Sequence, residues 1–232
     1  MVSTPAPAIT RIRWPRAYRI IRSAFPPIDL FEDIADPRDW EALASIESKT
    51  NPRIWEQIGR LELVPSSRRV SGPGASLLMA PFVHISTDRP GRFTDGTYGV
   101  YSAANAEEVA IREVAHHFGR AMANSRETAG WTSQFRVLIN AIDLDLHDVR
   151  ALPAMHHATS YEAPQALARV LRANSSNGIV YQSVRAAGGE CAAIFWPNLI
   201  PIPLQGDHYD YHWDGVRVDM VRNCRTHAIF GL

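Results

Sequence analysis

An arginine in a glycine-flanked loop, two tyrosines and a glutamate follow one another as Arg92, Tyr98, Tyr101 and Glu113, and Ser183 ends a later apolar run. Residues of these types could hold an anion and set a carboxylate beside it. A guanidinium fits phosphate or carboxylate bidentately, an aromatic face stacks on a planar ligand, and a fixed carboxylate stabilises positive charge as it develops. Each residue alone has a plainer role: Arg92 as a surface ion pair, Tyr101 as core, Ser183 as a turn cap. Glu113 falls at the margin between the wet and apolar sides of its helix, where a carboxylate is most often a paired surface group. The weight lies in their joint order.

Other familiar chemistries find less support. Gly72-Pro73-Gly74 has the opening of a dinucleotide loop, but Pro73 stands between the glycines and Leu77 holds the third glycine position. A strained serine turn of the hydrolase kind is missing. Adjacent histidines on a helix point about 100° apart, so neither His116-His117 nor His156-His157 makes a two-ligand face. His208 and His212 sit in a strand-like stretch with no Cys or Glu at zinc spacing, and no metal is expected.

The elements that must position the candidate residues are set by pattern and punctuation. Tyr18 to Ile21 reads as a strand, and Pro26-Pro27 breaks the chain after it. Asp36-Pro37 and Asn51-Pro52 each predict a helix start, ahead of Trp40, Leu43 and Ala44 and of Trp55 and Ile58. Ala75 to Ile85 is an apolar run that fits helix or strand. Tyr98 to Ser102 reads as a strand after the turn at Asp95-Gly96, and Asn105 as the cap of a helix reaching about Asn124. On that helix Val109, Ala110, Val114, Phe118 and Ala121 form the apolar side, with Glu108, Arg112, His116 and Arg120 opposite.

Gln134 to Asn140 alternates with Phe135, Val137 and Ile139 on one face, and Asp143 to Leu146 alternates again. Tyr161 to Ala173 predicts a second helix. Asn177-Gly178 turns the chain into a strand over Ile179 to Ser183, and Gly188-Gly189 leads to another over Cys191 to Trp196. Asp214-Gly215 marks a tight hairpin between Tyr211-His212-Trp213 and Val216-Arg217-Val218. The class is mixed α+β, without the regular alternation of a doubly wound sheet.

Composition bounds the reading. The 232 residues carry 24 basic and 24 acidic side chains, a formal net charge of zero, and 46% hydrophobic residues. A chain of this length can bury roughly 70% of its unfolded surface, so a disordered tail protein is excluded. Zero balance provides no chain-wide attraction for nucleic acid. Lys49 is the only lysine, which leaves 23 arginines, each a planar fork suited to carboxylate or phosphate. No apolar run of about 20 residues could span a bilayer, and Pro5, Pro7 and Pro15 interrupt any leader, so a cytoplasmic protein with Cys191 and Cys224 as free thiols is expected.

Gly91-Arg92-Phe93, Asp95-Gly96, Tyr98-Gly99-Val100-Tyr101, the helical Glu113, Asn177 to Tyr181, Ser183-Val184-Arg185 and Gly188-Gly189-Glu190-Cys191 together resemble the RES domain, a family named for its Arg, Glu and Ser. The resemblance covers about Tyr18 to Val218, with the specific motifs between Gly91 and Pro197. It implies an ADP-ribosyltransferase-like core, a twisted, split β-sheet with flanking helices, here with an N-terminal helical extension. The expected layout is a flexible arm over 1–17 and a single domain over 18–232, with 26–85 a largely helical insertion or extension.

The family resemblance further implies the toxin of a bacterial type II toxin-antitoxin module that uses NAD+ as its substrate without a metal. Glu113, Ser183 and Tyr101 are then the expected catalytic residues, with Arg92, Arg19 and Tyr98 binding the dinucleotide. The acceptor of ADP-ribose could be a protein, such as ribose-phosphate pyrophosphokinase, or phosphate or water. A module that binds a nucleotide or a partner without catalysis is the alternative of another class. The implied partner is a helix-turn-helix (Xre-like) antitoxin, with no direct nucleic acid and no membrane. Phe93-Thr94 departs from the Trp-Asn more usual after the arginine, and the long stretch between Arg19 and Arg92 exceeds a minimal domain.

Overall fold

A computed structural model describes residues 6–24, 36–50 and 54–232. Its spine is a pair of long antiparallel strands, β1 (Ile9–Arg22) and β3 (Trp131–Asp148), in register from Ile9 opposite His147 to Arg22 opposite Phe135. The register shifts between Trp14 and Ala17, where Pro15 removes a ladder N–H. The other edge of β3 is shared. Strand β6 (Leu204–Trp213) pairs antiparallel with its first half, and β4 (Gly178–Gln182) pairs parallel with it only at His147 and Asp148. The sheet is therefore split between β6 and β4.

From β4 the order runs to β5 (Glu190–Ile194) and β2 (Tyr101–Ala104), which returns to β1 at Tyr18 opposite Ala104. Beyond β6 lie β7 (Val218–Asn223) and β8 (Ile229–Gly231). The mixed α+β class is as the sequence predicts.

Alternation along the strands sends neighbouring side chains to two cores. Phe135, Val137, Ile179 and Tyr181 join one, closed by α4 (Glu107–Ser125) through Ile111 and Phe118 and by α5 (Glu162–Ala173) through Ala168 and Leu171. Ile142, Leu146, Val180 and Ile194 join the other, closed by α1 (Trp40–Glu47) and α3 (Ala75–Val83) through Trp40, Leu78 and Phe82. Each such side chain contributes about 1.5–3 kcal/mol by its burial. A short helix, α2 (Ile54–Ile58), completes the helical segment. Arg69, 4% exposed in its side chain, braces that segment by donating to the carbonyls of Val64, Pro37 and Leu61 and to Glu41. Arg68 and Arg172 both stack on Trp196, joining it to the sheet and α5.

Several boundaries differ from the sequence expectation. Residues 9–17, expected in a loose arm, are strand, because Ile9 to Trp14 pair with His147 to Ile142. The two alternating runs after Gln134 are one strand, since Ala141 and Ile142 continue the ladder between them. Strand β2 begins only at Tyr101: Gly99 lies so close to α3 that a Cβ there would sit 2.2 Å from the Pro81 carbonyl. On α4 the buried side includes Ile111, Ala115 and Met122, while Ala121, with little area to bury, faces outward. Asn105 does not cap α4; its side-chain oxygen accepts from the Glu190 N–H and ties β5 down. The apolar run from Ala75 is helix α3, and α1 starts at Trp40 after an Asp36–Arg38 turn. Pro26-Pro27 and Asn51-Pro52 lie outside the described residues.

Candidate active site

Helix α4 and the end of β4 meet at a carboxylate and a hydroxyl. Ser183 Oγ donates to Glu113 Oε1 at 2.6 Å and accepts from the N–H groups of Arg185 and Ala186 at 3.1 and 3.0 Å. A hydroxyl has one proton and two lone pairs, so all three are used and the proton is committed to Glu113. Such a bond to a carboxylate is roughly twice as strong as a neutral one. The Ser183 N–H is itself fixed to the Gly189 carbonyl at 2.8 Å. Glu113 keeps 22% of its side chain exposed, and its second oxygen lies 4.0 Å from His117 Nε2. One carboxylate oxygen is thus anchored while the group stays reachable from outside.

Arg92 approaches from a loop braced on every side. Gln165 of α5 donates to the carbonyls of Gly91 and Thr94, Thr94 Oγ1 donates to the Tyr98 carbonyl, and the Tyr98 hydroxyl donates to the Phe93 carbonyl at 3.0 Å. Arg92 Nη1 donates to the carbonyls of Met155 and His157 at 3.0 and 2.9 Å, and the guanidinium lies over the Tyr161 ring at 4.7 Å. No carboxylate is paired with it among the described residues, so its charge is not neutralised and its Nε and Nη2 donors are left for a ligand.

The turn at Pro153–His156 that supplies those carbonyls also reaches β4. His156 Nε2 accepts from the Gln182 N–H at 3.1 Å, which leaves Nδ1 to donate to the Leu152 carbonyl at 2.9 Å and fixes the neutral tautomer. Burial lowers the pKa of His156, with Arg92 adding to the effect. One short turn therefore holds Arg92 and the residue before Ser183.

The electrostatics agree with this grouping. Buried Tyr181 and Cys191 feel both Glu113 and Arg92, and burial pushes the phenol and the thiol upward. The Tyr181 ring packs on Phe93 at 4.7 Å between the two segments. Burial, then Arg185, His117 and Arg120, brings His116 down to about 4, and burial lowers His117 against the pull of Glu113. Both imidazoles are neutral near pH 7, so Glu113 has no full cationic partner at hydrogen-bond distance among the described residues.

Arg92, Glu113 and Ser183 are thus brought together, and Tyr98 stands behind the Arg92 loop, with its hydroxyl on Phe93 and its ring under Arg172 at 4.8 Å. Tyr101 and Arg19 form a separate pair in the other core. The Tyr101 ring is fully buried, its hydroxyl faces Asn140 at 3.5 Å, and Arg19 lies 5.0 Å over it while donating to the Ser102 carbonyl. Burial pushes Tyr101 up to about 12 and lowers Arg19. Strand parity explains the separation, because Tyr101 and Ala103 point away from the face that α4 covers.

Tyr161, His117, Phe93, Tyr181 and the carbonyls of the 153–157 turn carry no individual signal for this site in the sequence. A backbone carbonyl has no residue-type signature. The His156-His157 pair is the available signal, and reading it only as metal ligation hides its role as a brace.

The chain has recognisable relatives. It is 26% identical over 207 residues to a protein of Sinorhizobium fredii (strain NBRC 101917 / NGR234) described as uncharacterized protein y4oC, covering 88% of this chain and 85% of that one. A solved structure titled as the M. tuberculosis MbcT-MbcA toxin-antitoxin complex aligns with a TM-score of 0.44 at 12% identity, over 87% of each chain. The family model described as RES domain matches residues 66–214, well over half of the chain and all of the segment that holds Arg92, Glu113 and Ser183. The chain belongs to the RES domain family.

Proposed function

We propose that the protein is the toxin of a toxin-antitoxin module, an enzyme that cleaves NAD+ at the nicotinamide-ribose bond and transfers ADP-ribose to a protein acceptor. The observation that carries this reading is a partly exposed carboxylate, anchored at one oxygen by Ser183, in the same neighbourhood as an arginine with no acidic partner among the described residues. Membership of the RES domain family supports the substrate assignment.

Breaking the bond sends its electron pair to the pyridinium ring, which leaves as neutral nicotinamide, and the ribose carbon acquires oxocarbenium character. Glu113 stabilises that charge and accepts a hydrogen bond from a ribose hydroxyl. Ser183 holds the carboxylate in one orientation, so little reorganisation is needed as charge develops. Arg92 binds the pyrophosphate through Nε and Nη2. The acceptor's lone pair then forms the new bond at the ribose carbon, and the acceptor loses a proton.

Under this proposal the protein acts in the cytoplasm, where NAD+ is available, and a helix-turn-helix antitoxin holds it inactive. Phosphate is the second acceptor considered, favoured by the unpaired Arg92 and the nearby Arg185. Incubating the purified protein with NAD+ labelled in its ADP-ribose part, with cell extract and with or without phosphate, separates the two. Free nicotinamide with a labelled protein band is expected. Soluble ADP-ribose phosphate would assign phosphate as acceptor, and no nicotinamide under any condition would overturn the enzymatic reading.

A further inference from the structure

Glu113 is not the only polar group that α4 presents to solvent. Arg112, His116 and Arg120 recur every four residues on one side of the helix and face a groove of about 470 Å³ whose other walls carry Arg185 and Arg217. No Asp or Glu is among the described residues that line it. Arg112 is paired to Glu108 outside the groove, Arg185 donates to the Ala158 carbonyl, and Arg120 and Arg217 have no side-chain ion pair among the described residues. The floor between them is apolar, made by Gly119, Val184 and Val218.

His116 stands in the wall of the groove between Arg112 and Arg120. Its Nε2 is buried and has no hydrogen-bond partner among the described residues. Burial, then Arg185, His117 and Arg120, holds the ring neutral, so it adds no charge of its own to the groove.

The distribution of charge decides the class of ligand. Eight residues of α-helix separate Arg112 from Arg120, roughly 12 Å at 1.5 Å per residue. A dinucleotide concentrates its charge on two adjacent phosphates and needs donors converging on one point, as Arg92 offers. Arginines spaced along an apolar floor instead fit an extended peptide that alternates acidic and apolar side chains. The groove shares its elements with the site: it is lined by residues of the helix that carries Glu113 and by Val184 and Arg185, which follow Ser183 in the chain.

We infer that this groove docks the protein acceptor through an acidic, apolar-anchored segment, which presents the acceptor's nucleophile to Glu113. The inference rests on the proposed transfer reaction for its consequence, whereas the docking itself is a matter of groove and peptide alone.

The test uses the full chain, a fluorescent peptide of alternating Glu and Leu, a Lys-Leu peptide, inorganic pyrophosphate and a single-stranded RNA. Arg120→Glu/Arg217→Glu and the milder Arg120→Gln/Arg217→Gln are compared with the unmodified protein. Both positions are exposed, and thermal melting confirms the fold of each variant. The Glu-Leu peptide is expected to bind the unmodified protein in preference to the other three probes. Charge reversal should weaken it by at least about tenfold, and neutralisation by less. Nicotinamide release from NAD+ should be unchanged in both variants and in the presence of the peptide.

The inference is overturned if the peptide does not bind or binds the variants equally well. It is also overturned if RNA or pyrophosphate binds the groove more tightly, if the variants lose NAD+ affinity, or if bound peptide stops nicotinamide release, since an acceptor must dock without plugging the site. Absence of nicotinamide release from the unmodified protein, by contrast, would sink the enzymatic reading and leave the peptide result to decide the docking.

Discussion

Arg92 has two jobs that compete for one guanidinium. Its Nη1 holds the 153–157 turn through two carbonyls, and its Nε and Nη2 are the donors proposed to bind the pyrophosphate. Removing it should therefore weaken substrate binding more than the bond-breaking step. Arg92→Ala is expected to raise KM for NAD+ by at least about tenfold, since a charge-assisted contact to phosphate is worth about 1.5–3 kcal/mol. The kcat should fall less, and steady-state nicotinamide release measures both. Arg92→Lys should recover part of KM, because it keeps a charge but loses the planar fork. At this scale the sequence is informative where type and order combine, as for Arg92, Glu113 and Ser183. It is silent where the partner is a carbonyl, as at Met155 and His157. It places Tyr101 at the site because one-residue strand parity is invisible until the register is known.

The elements explain why those residues meet. Helix α4 follows β2, and Ser183 comes immediately after β4, two strands away in the same ring, so the register of β2, β5 and β4 sets the distance between carboxylate and hydroxyl. The loop ahead of β2 is pressed onto α3 at Gly99, where a side chain has no room beside Pro81 and Phe82. Gly99→Ala should destabilise the fold by about 1–3 kcal/mol, as overpacking does, and a urea titration would measure it. A smaller effect would mean that α3 shifts freely against the sheet.

Helix and strand identities are legible in the sequence wherever a long pattern repeats, as in α4, α5 and β3. The start of β2 is not, because Tyr98 to Val100 alternates like a strand and is kept out of the ladder by contact with α3. The arm at residues 9–17 misleads for a related reason: its prolines suggest fraying, yet the long ladder with β3 accommodates Pro15 at a register shift.

For the whole molecule, balanced charge means that attraction for an anion is local. The arginines around α4 create such a locality, and burial of His116 among them leaves a mark on stability. His116 titrates at about 4 in the folded protein, below its ordinary value of about 6.5. Between those values the unfolded chain binds a proton that the folded chain refuses, so stability rises with pH through this window and is lost as pH falls from about 6.5 towards 4. Solvent screening at this half-open position limits the effect to about 1 kcal/mol. Urea unfolding at pH 7.5 and pH 5 should show a smaller acid loss in His116→Gln than in the unmodified protein. A residual loss should remain in the variant, because burial lowers His117 and His156 in the same direction.

Under the proposed reaction the group that matters most is Glu113. The most direct measurement is nicotinamide release from NAD+ by purified Glu113→Gln alongside the unmodified protein. The substitution keeps the volume and the Ser183 hydrogen bond but removes the negative charge, so packing is held constant while electrostatics change. A loss of at least about a hundredfold in kcat, with melting temperature and NAD+ affinity retained, is the predicted result. Full turnover by Glu113→Gln would contradict it.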